Sequence, residues 1–246
     1  ARVLEEARDG IAACIGADRE EIYFTSGGTE ADNQAIFTAA AYGKAMGKHH
    51  MIFSSIEHHA VLNCIPALKK AGFEITQIGV DPWGRVSMEE LKAACRQDTI
   101  LVAVMYVNNE VGTVQPVEEA ASIVKDYNPS ILFHSDAVQG FGKYRIYPKR
   151  QKIDLLSVSG HKIHGPKGTG FLYIGEKVKI RPILFGGGQQ RDIRSGTENV
   201  PGIAGLGLAA ELAYKDFDIK TALMRELKEY FISEIGQMEN TVIHGV

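Results

Sequence analysis

Features that mark several classes of protein are scarce in this chain. Its 246 residues include only three cysteines, Cys14, Cys64 and Cys95, which are far apart and form no C-x-x-C pair. An odd number of distant cysteines does not build a disulfide framework, so we expect a reducing, cytoplasmic location. The eight histidines also lack cysteine pairs at zinc-ligand spacing, and we expect no metal site.

Charge and hydropathy exclude two further classes. The 27 basic and 30 acidic residues give a net charge of -3, so the basic excess typical of nucleic-acid-binding domains is lacking. Apolar runs stay well short of the ~20 residues that cross a bilayer. We therefore expect neither nucleic acid nor a membrane as a partner.

Short apolar segments alternate with helical patterns along most of the chain. The apolar segments predict strands at Ile22–Thr25, Met51–Ser55, Glu74–Ile78, Ile100–Val107, Ile131–Ser135, Asp154–Val158 and Thr169–Ile174. Helices are predicted at Thr29–Met46, Ala60–Ala71, Ser87–Arg96 and Val117–Tyr127. This alternation predicts an α/β fold with three α/β/α layers and a mostly parallel, mixed sheet of about seven strands.

The C-terminal part has a different character. Two amphipathic helices are predicted at about 201–216 and 218–238, and the last residues, Ile-His-Gly-Val, resemble part of a strand. The chain starts without Met and within a helical pattern, so we expect it to be a piece of a longer protein. We treat residues 1–246 as one domain, whose end, about 201–246, is helical.

Polar segments follow the predicted strands, and ligands of such sheets bind beyond the carboxyl ends of the strands. The first segment is Thr25-Ser26-Gly27-Gly28-Thr29-Glu30, which opens a helix. Two glycines and free N–H groups at a helix start predict a phosphate site. An ordinary capped helix is the alternative.

A second segment places Asp136 at a strand end and Gln139 three residues later. An acidic group there can hold the protonated pyridine nitrogen of pyridoxal phosphate (PLP), and Gln139 could reach the phenolic oxygen of the ring. The alternative is a turn in which the aspartate bonds to its own backbone.

A third segment, residues 157–168, is rich in glycine and contains two lysines, Lys162 and Lys167. Lysine amines form Schiff bases when they are partly desolvated in a site of this kind. From the loop alone either lysine could serve, or both could be solvated surface groups. Ser159 and His161 flank the same loop and could bind phosphate oxygens.

Three more segments carry candidates. His58 follows a strand and could stack on a flat ring and move protons, although capping is the alternative, which we favour for His59. Asn108 and Asn109 could fix a ligand or build the turn before Gly112. The loop at 186–199 holds two arginines that suit an anionic group, unless it is only an exposed connection.

Taken together, these segments resemble one family. The segments are SGGTEADNQAI, EHHAVL, VNNEVGTVQPV, HSDAVQGFGK, SVSGHKIHGPKGTGFLY and GGGQQRDIRSGTENV. They are similar to the PLP-binding large domain of cysteine desulfurases, in the class V aminotransferase branch of the fold-type I PLP enzymes. The resemblance covers nearly the whole chain.

The resemblance implies a role for each candidate. Lys162 would carry the cofactor as a Schiff base, His58 would stack on the pyridine ring, and Asp136 would pair with the ring nitrogen. Gln139 and Asn109 would address the ring oxygen and the substrate side. The phosphate would be held by Gly28, Thr29, Ser159 and His161.

The resemblance also implies partners and a reaction. Thr197 would reach the phosphate bound by the other subunit of a homodimer. L-cysteine would be converted to L-alanine, and the sulfur would pass as a persulfide to an acceptor, either an iron–sulfur scaffold or a sulfur carrier. The nucleophilic cysteine is expected in a C-terminal small domain beyond Val246, so we expect the isolated chain to be inactive.

Other functions remain open from the sequence. A selenocysteine lyase, a transaminase or an inactive PLP-binding fragment would share the same cofactor residues. Gly205-Leu206-Gly207-Leu208-Ala209-Ala210 matches a dinucleotide-binding pattern, but a helix rather than a strand is predicted around it.

Overall fold

A seven-stranded sheet forms the centre of the computed structural model, which describes residues 2–245. Its strands are β1 (Ile22–Thr25), β2 (His50–Ser54), β3 (Glu74–Ile78), β4 (Thr99–Ala103), β5 (Leu132–Asp136), β6 (Leu155–Ser159) and β7 (Gly170–Ile174). The strand order is β1-β7-β6-β5-β4-β2-β3, and β7 is antiparallel to both of its neighbours. The remaining pairs are parallel, so the predicted mixed sheet is confirmed.

Helices cover both faces of this sheet. They are α1 (Arg2–Ile15), α2 (Gly28–Ala45), α3 (His59–Leu62), α4 (Ile65–Lys70), α5 (Met88–Ala94), α6 (Val117–Tyr127), α7 (Val200–Tyr214) and α8 (Phe217–Ile235). Side chains of α2, α3 and α4 join one apolar core, and those of α1, α5, α6 and α7 join the other. The predicted three layers are therefore present.

The structure corrects three predictions about the elements. The helix predicted at Ala60–Ala71 is divided into α3 and α4, because Pro66 has no N–H to donate and is accommodated in the first turn of a new helix. The predicted strand Ile100–Val107 ends at Ala103. The residues after Ala103 still run beside β5, because the amides of Val104 and Tyr106 donate to β5 carbonyls. The apolar pattern therefore continues beyond the end of the strand.

The third correction concerns the C-terminus. Residues 241–245 form no strand, and Val246 lies outside the described residues. The two predicted helices are present, but α7 is apolar almost all round rather than amphipathic, and the apolar side chains of α8 are mostly exposed. Ile219 is 73% exposed and Phe231 is 62% exposed, whereas Phe217 at the start of the helix is buried. Among the helices that the structure describes, none combines the length and apolarity needed to span a membrane.

Candidate cofactor site

A cavity of about 190 Å³ lies at the carboxyl ends of the central strands. Nine of the ten predicted site residues line it: Gly28, Thr29, His58, Asn109, Asp136, Gln139, Ser159, His161 and Lys162. The tenth, Thr197, is exposed and lies outside this cavity. Parallel strands bring these side chains together from distant parts of the chain, because their carboxyl ends share one edge of the sheet.

The start of α2 forms an anion cup at one end of the cavity. Gly28 is the first residue of the helix, so the N–H groups of its first turn have no partner within the helix. A Cβ atom at Gly28 would lie 2.6 Å from Cγ2 of Val138, which shows that the cup has room only for glycine. Ser159 Oγ and His161 Nδ1 are 2.8 Å apart beside it. A phosphate fits this donor set.

Close backbone packing holds the cup in place. A Cβ atom at Gly170 would lie 2.7 Å from the Cα atom of Gly27, whose own φ of 152° favours glycine. On the outer side, Glu30 accepts hydrogen bonds from Ser26 and from Arg194 Nε, the latter at 2.7 Å. Burial opposes the ionisation of Glu30, but these hydrogen bonds outweigh it and lower its pKa. Arg194 thus ties the polar loop at 186–199 to the cup.

Asp136 lies buried in the wall at the end of β5. Its Oδ1 accepts a hydrogen bond of 2.9 Å from the amide of Val138, so the predicted aspartate turn is present as well. Burial, followed by repulsion from Asp32, raises the pKa of Asp136 to about 7. A cationic ring nitrogen would relieve both effects, because it stabilises the ionised carboxylate.

His58 stands at the mouth of the cavity and is exposed. Its Nδ1 accepts a hydrogen bond of 3.1 Å from the amide of Ala60 and caps α3. The neutral ring therefore carries its proton on Nε2, where it can be exchanged with a ligand. The two interpretations of His58, a cap and a ring-facing group, are compatible. His59 is exposed, as expected of a surface residue.

The two lysines of the glycine-rich loop differ in their position relative to the cavity. Lys162 lies on a short 3-10 helix, Gly160–Ile163, and lines the cavity, whereas Lys167 is exposed outside it. The Lys143 amine donates a 3.3 Å hydrogen bond to the Lys162 carbonyl. His164 ends the 3-10 helix with a left-handed φ of 64°. Both side chains are exposed, and of the two only Lys162 lines the cavity.

Two roles were predicted for Asn108 and Asn109, a contact with a ligand and the turn before Gly112, and each asparagine is placed for one of them. Asn108 is buried, and its Oδ1 accepts hydrogen bonds from the amides of Glu110 and Val111, both at 2.9 Å. It therefore builds the turn. Asn109 is exposed and lines the cavity, where its amide is placed to meet a ligand.

Three residues of the wall escaped the sequence-based prediction: Asp32, Met105 and Val138. Asp32 has a detectable signal, because it falls on the same helical face as Ala31 and Ala35, where apolar residues are expected. Met105 and Val138 have none, since ordinary apolar residues beside a strand end predict only a core. Within residues 2–245, no three His, Cys, Asp or Glu side chains are grouped to hold a metal ion.

The fold and the cavity define an α/β protein with an anion cup and a buried carboxyl group at the carboxyl edge of its sheet. Residues 1–246 match the family model of class V aminotransferases, and the chain belongs to this family. It is 54% identical over 228 residues to a putative cysteine desulfurase IscS 1 of Bacillus subtilis, covering 93% of this chain and 59% of the relative. A cysteine desulfurase IscS of Methanosarcina thermophila is 49% identical, with 97% and 58% covered.

The chain is also similar to solved structures. A NifS-like protein superimposes with a TM-score of 0.95 at 41% identity, covering 99% of this chain and 66% of that one. DndA from Streptomyces lividans gives 0.88 at 38% identity, with 99% and 69% covered. A third match, SspA in complex with cysteine, gives 0.81 at 40% identity, with 85% and 60% covered. The chain spans less than two thirds of the length of the two curated relatives, 59% and 58% respectively.

Proposed function

We propose that this chain is the PLP-binding large domain of a cysteine desulfurase, with Lys162 as the covalent attachment point of the cofactor. The observation that carries the proposal is the convergence of Lys162, Asp136 and the cup at Gly28 on one cavity. Relatives named cysteine desulfurase, about half identical over most of the chain, support the same activity.

PLP supplies an electron sink for carbanion chemistry at the α carbon of an amino acid. The residues of this chain would position it and move protons. Asp136 would hold the proton of the ring nitrogen, and His58 would present Nε2 to the ring face. Lys162 would hold the cofactor covalently, and its amine would be the group that moves a proton at the substrate α carbon. Gln139 and Asn109 would orient the polar edges.

The substrate and the partners belong to the same proposal. L-cysteine is the substrate we propose, supported by the structural neighbour SspA, which was solved in complex with cysteine. We further propose a homodimer in which Thr197 reaches the other subunit's phosphate, and a sulfur acceptor that is an iron–sulfur scaffold or a sulfur carrier. Thr197 is exposed, and so is Phe185, which directly precedes the loop at 186–199 and is 85% exposed; both support a partner surface. A cytoplasmic location remains a prediction.

The cysteines of this chain support a nucleophile located elsewhere. The thiolate is the reactive form of cysteine, and burial disfavours it. Burial, followed by repulsion from Glu211, raises the pKa of Cys14 to about 11. Burial and repulsion from Asp32 raise the pKa of Cys64 to about 11, and burial raises that of Cys95. We therefore propose that residues 2–245 alone do not complete sulfur transfer, and that exposed apolar side chains of α8 contact a further part of the protein.

Borohydride reduction with PLP tests the cofactor and its site together. We expect the complete protein to gain the mass of one phosphopyridoxyl group, located on Lys162 by peptide mapping. Lys162→Ala should lose the adduct, whereas Lys167→Ala, a neighbouring exposed lysine, should keep it. An adduct on Lys167, or retention in Lys162→Ala, would contradict the assignment.

Product analysis tests the reaction. We expect the complete protein to form alanine and persulfide from L-cysteine. Release of elemental selenium from selenocysteine alone, or amino transfer to a keto acid alone, would replace this proposal by a selenocysteine lyase or a transaminase. The chain of residues 1–246 by itself should form no persulfide.

A further inference from the structure

A carboxylic acid is buried in the apolar face of α2. Asp32 is 1% exposed, and its neighbours on this face of the helix include Ala31, Ala35 and Ala39, each fully buried. An isolated carboxylate there is costly, because an ionised group loses its hydration without gaining a cation. Asp32 also lines the cofactor cavity, one helical turn below Gly28. Such a residue in a cavity wall calls for a functional explanation.

Within residues 2–245, the side chains in contact with Asp32 are polar but uncharged. Its Oδ1 lies 3.4 Å from His134 Nε2, which in turn lies 2.9 Å from the Ser157 hydroxyl. Burial lowers the pKa of His134 to about 4. Burial likewise raises the pKa of Asp32 to about 7, and hydrogen bonding with Ser157 offsets only part of this effect. At a pH between these two pKa values, both groups are neutral, and their contact is not an ion pair.

Strand register connects Asp32 to Asp136. His134 and Asp136 are two residues apart on β5 and point to the same face of the sheet. Ser157 is the register partner of Asp136 on β6, so His134, Ser157 and Asp136 form one polar patch beneath α2. Two carboxyl groups in this dry patch cannot both ionise cheaply, and the charge falls on the one that meets a cation.

We propose that Asp32 is a positioning residue for Asp136: it remains a protonated acid in the filled site, so that the negative charge lies on Asp136 beside the ring nitrogen. This inference rests on the proposed PLP function. The proton of Asp32 also explains the 3.4 Å approach to His134, because a neutral acid and a neutral imidazole tolerate burial together.

Other ionisable groups around the patch favour the same distribution. Glu57 is buried, and its Oε1 accepts hydrogen bonds from Ser54 and from the amide of Met105. Burial raises the pKa of Glu57 to about 8, and the negative charge of Asp136 adds to the effect. Burial likewise keeps Cys64 a thiol, and His134, followed by His58, offsets part of the rise in the pKa of Asp136.

Infrared spectroscopy can detect the proton directly, through the carbonyl stretch of a protonated carboxylic acid. We expect the PLP-loaded complete protein at pH 7 to show this band, and Asp32→Asn to remove part of it. Asp136→Asn should leave the band of the loaded protein unchanged, because Asp136 is ionised there. An unchanged band in loaded Asp32→Asn would overturn the inference. The borohydride experiment tests the PLP function separately: absence of the Lys162 adduct would refute that function. The infrared band is therefore recorded for both the PLP-loaded and the cofactor-free protein.

Unfolding of the cofactor-free protein provides a readout that is independent of PLP. The pKa of Asp32 is higher in the folded than in the unfolded state, so the folded protein binds more protons between about pH 4 and 7. Stability should therefore fall as pH rises through this window. As the pH is raised through this window, we expect the melting temperature of Asp32→Asn to fall less than that of the wild type.

A matched control is Asp126→Asn, an exposed carboxylate on α6 whose Oδ1 lies 3.6 Å from the Lys152 amine. Its melting curve should follow the wild type at each pH. Parallel pH profiles of wild type and Asp32→Asn would mean that Asp32 carries no extra proton when folded, and the inference would be wrong. Asparagine has nearly the shape of the protonated acid, so the variant should fold.

Discussion

The two faces of the central sheet differ in chemistry although the same strands build both. On the side of α1, α6 and α7, β5 presents Phe133, which is 0% exposed, to an apolar core. On the side of α2, the same strand presents His134 and Asp136. Side chains alternate along a strand, so one short segment supplies a stabilising face and a reactive one.

The difference shows what each face contributes. Burying an apolar ring stabilises the fold by roughly 1.5–3 kcal/mol. Burying a carboxyl group without a cation costs free energy, and the raised pKa values of Asp32 and Asp136 reflect that cost. The apolar face therefore offsets the cost of burying these two carboxyl groups on the other side of the sheet.

Phe133→Ala should have the largest effect and tests the stabilising face. We expect a loss of about 3–5 kcal/mol in the free energy of unfolding, because the substitution leaves a cavity in a fully buried position. Denaturant titration measures this loss. Phe185→Ala, at a residue that is 85% exposed, should change stability by less than about 0.5 kcal/mol. Similar losses in both variants would remove the contrast between core and surface.

Asp136→Asn should weaken PLP binding by about 10- to 100-fold, the equivalent of one charge-assisted hydrogen bond. Equilibrium titration followed by the absorbance of the bound cofactor measures this change. Asp126→Asn serves as the control and should bind like the wild type. If Asp136→Asn binds PLP with unchanged affinity, the reactive face does not hold the ring nitrogen.

Gly28→Ala tests the cup at the edge of the reactive face. The added methyl group would lie 2.6 Å from Val138 Cγ2, so we expect a loss of about 1–3 kcal/mol together with weaker binding of inorganic phosphate. Phosphate titration by calorimetry measures the second effect.

The control for this variant is Gly10→Ala at a half-buried position of α1, where an added Cβ meets no described atom of another element within 4 Å. It should raise stability by about 0.5–1 kcal/mol, because alanine favours a helix over glycine. An equal gain in stability in the two variants would mean that the cup has room for a methyl group.

Glu57→Gln should alter the pH dependence of stability. Burial raises the pKa of Glu57 from 4.5 to about 8, so the folded protein binds more protons in this window and its stability falls as pH rises. One such proton gives a slope of up to about 1.4 kcal/mol per pH unit, and glutamine should remove this share. Unfolding at several pH values, with Glu118→Gln as the exposed control, measures it. A steeper slope in Glu57→Gln would contradict the prediction.

Most elements could be predicted because their signals are local. Strand β1 lies at the predicted residues, and α2 begins one residue before its predicted start. The sequence did not predict the division of α3 from α4, because helical periodicity continues through Pro66. It also did not predict the end of β4, because the apolar residues continue beyond the last residue that pairs in the sheet. Among the site residues, those at strand ends were predictable from the placement of ligands in such sheets.

The amino-acid sequence by itself determined the alternation of strands and helices, the glycines of the cup and the resemblance to a PLP-binding domain, because these depend on residues adjacent along the chain. Tertiary structure alone decided that Asp32 lines the cavity beside His134 and Asp136, and that Thr197 lies outside it. The physical reason is that desolvation and repulsion arise from groups that the strand order brings together across the sheet, and these forces are set by distance in space rather than in sequence.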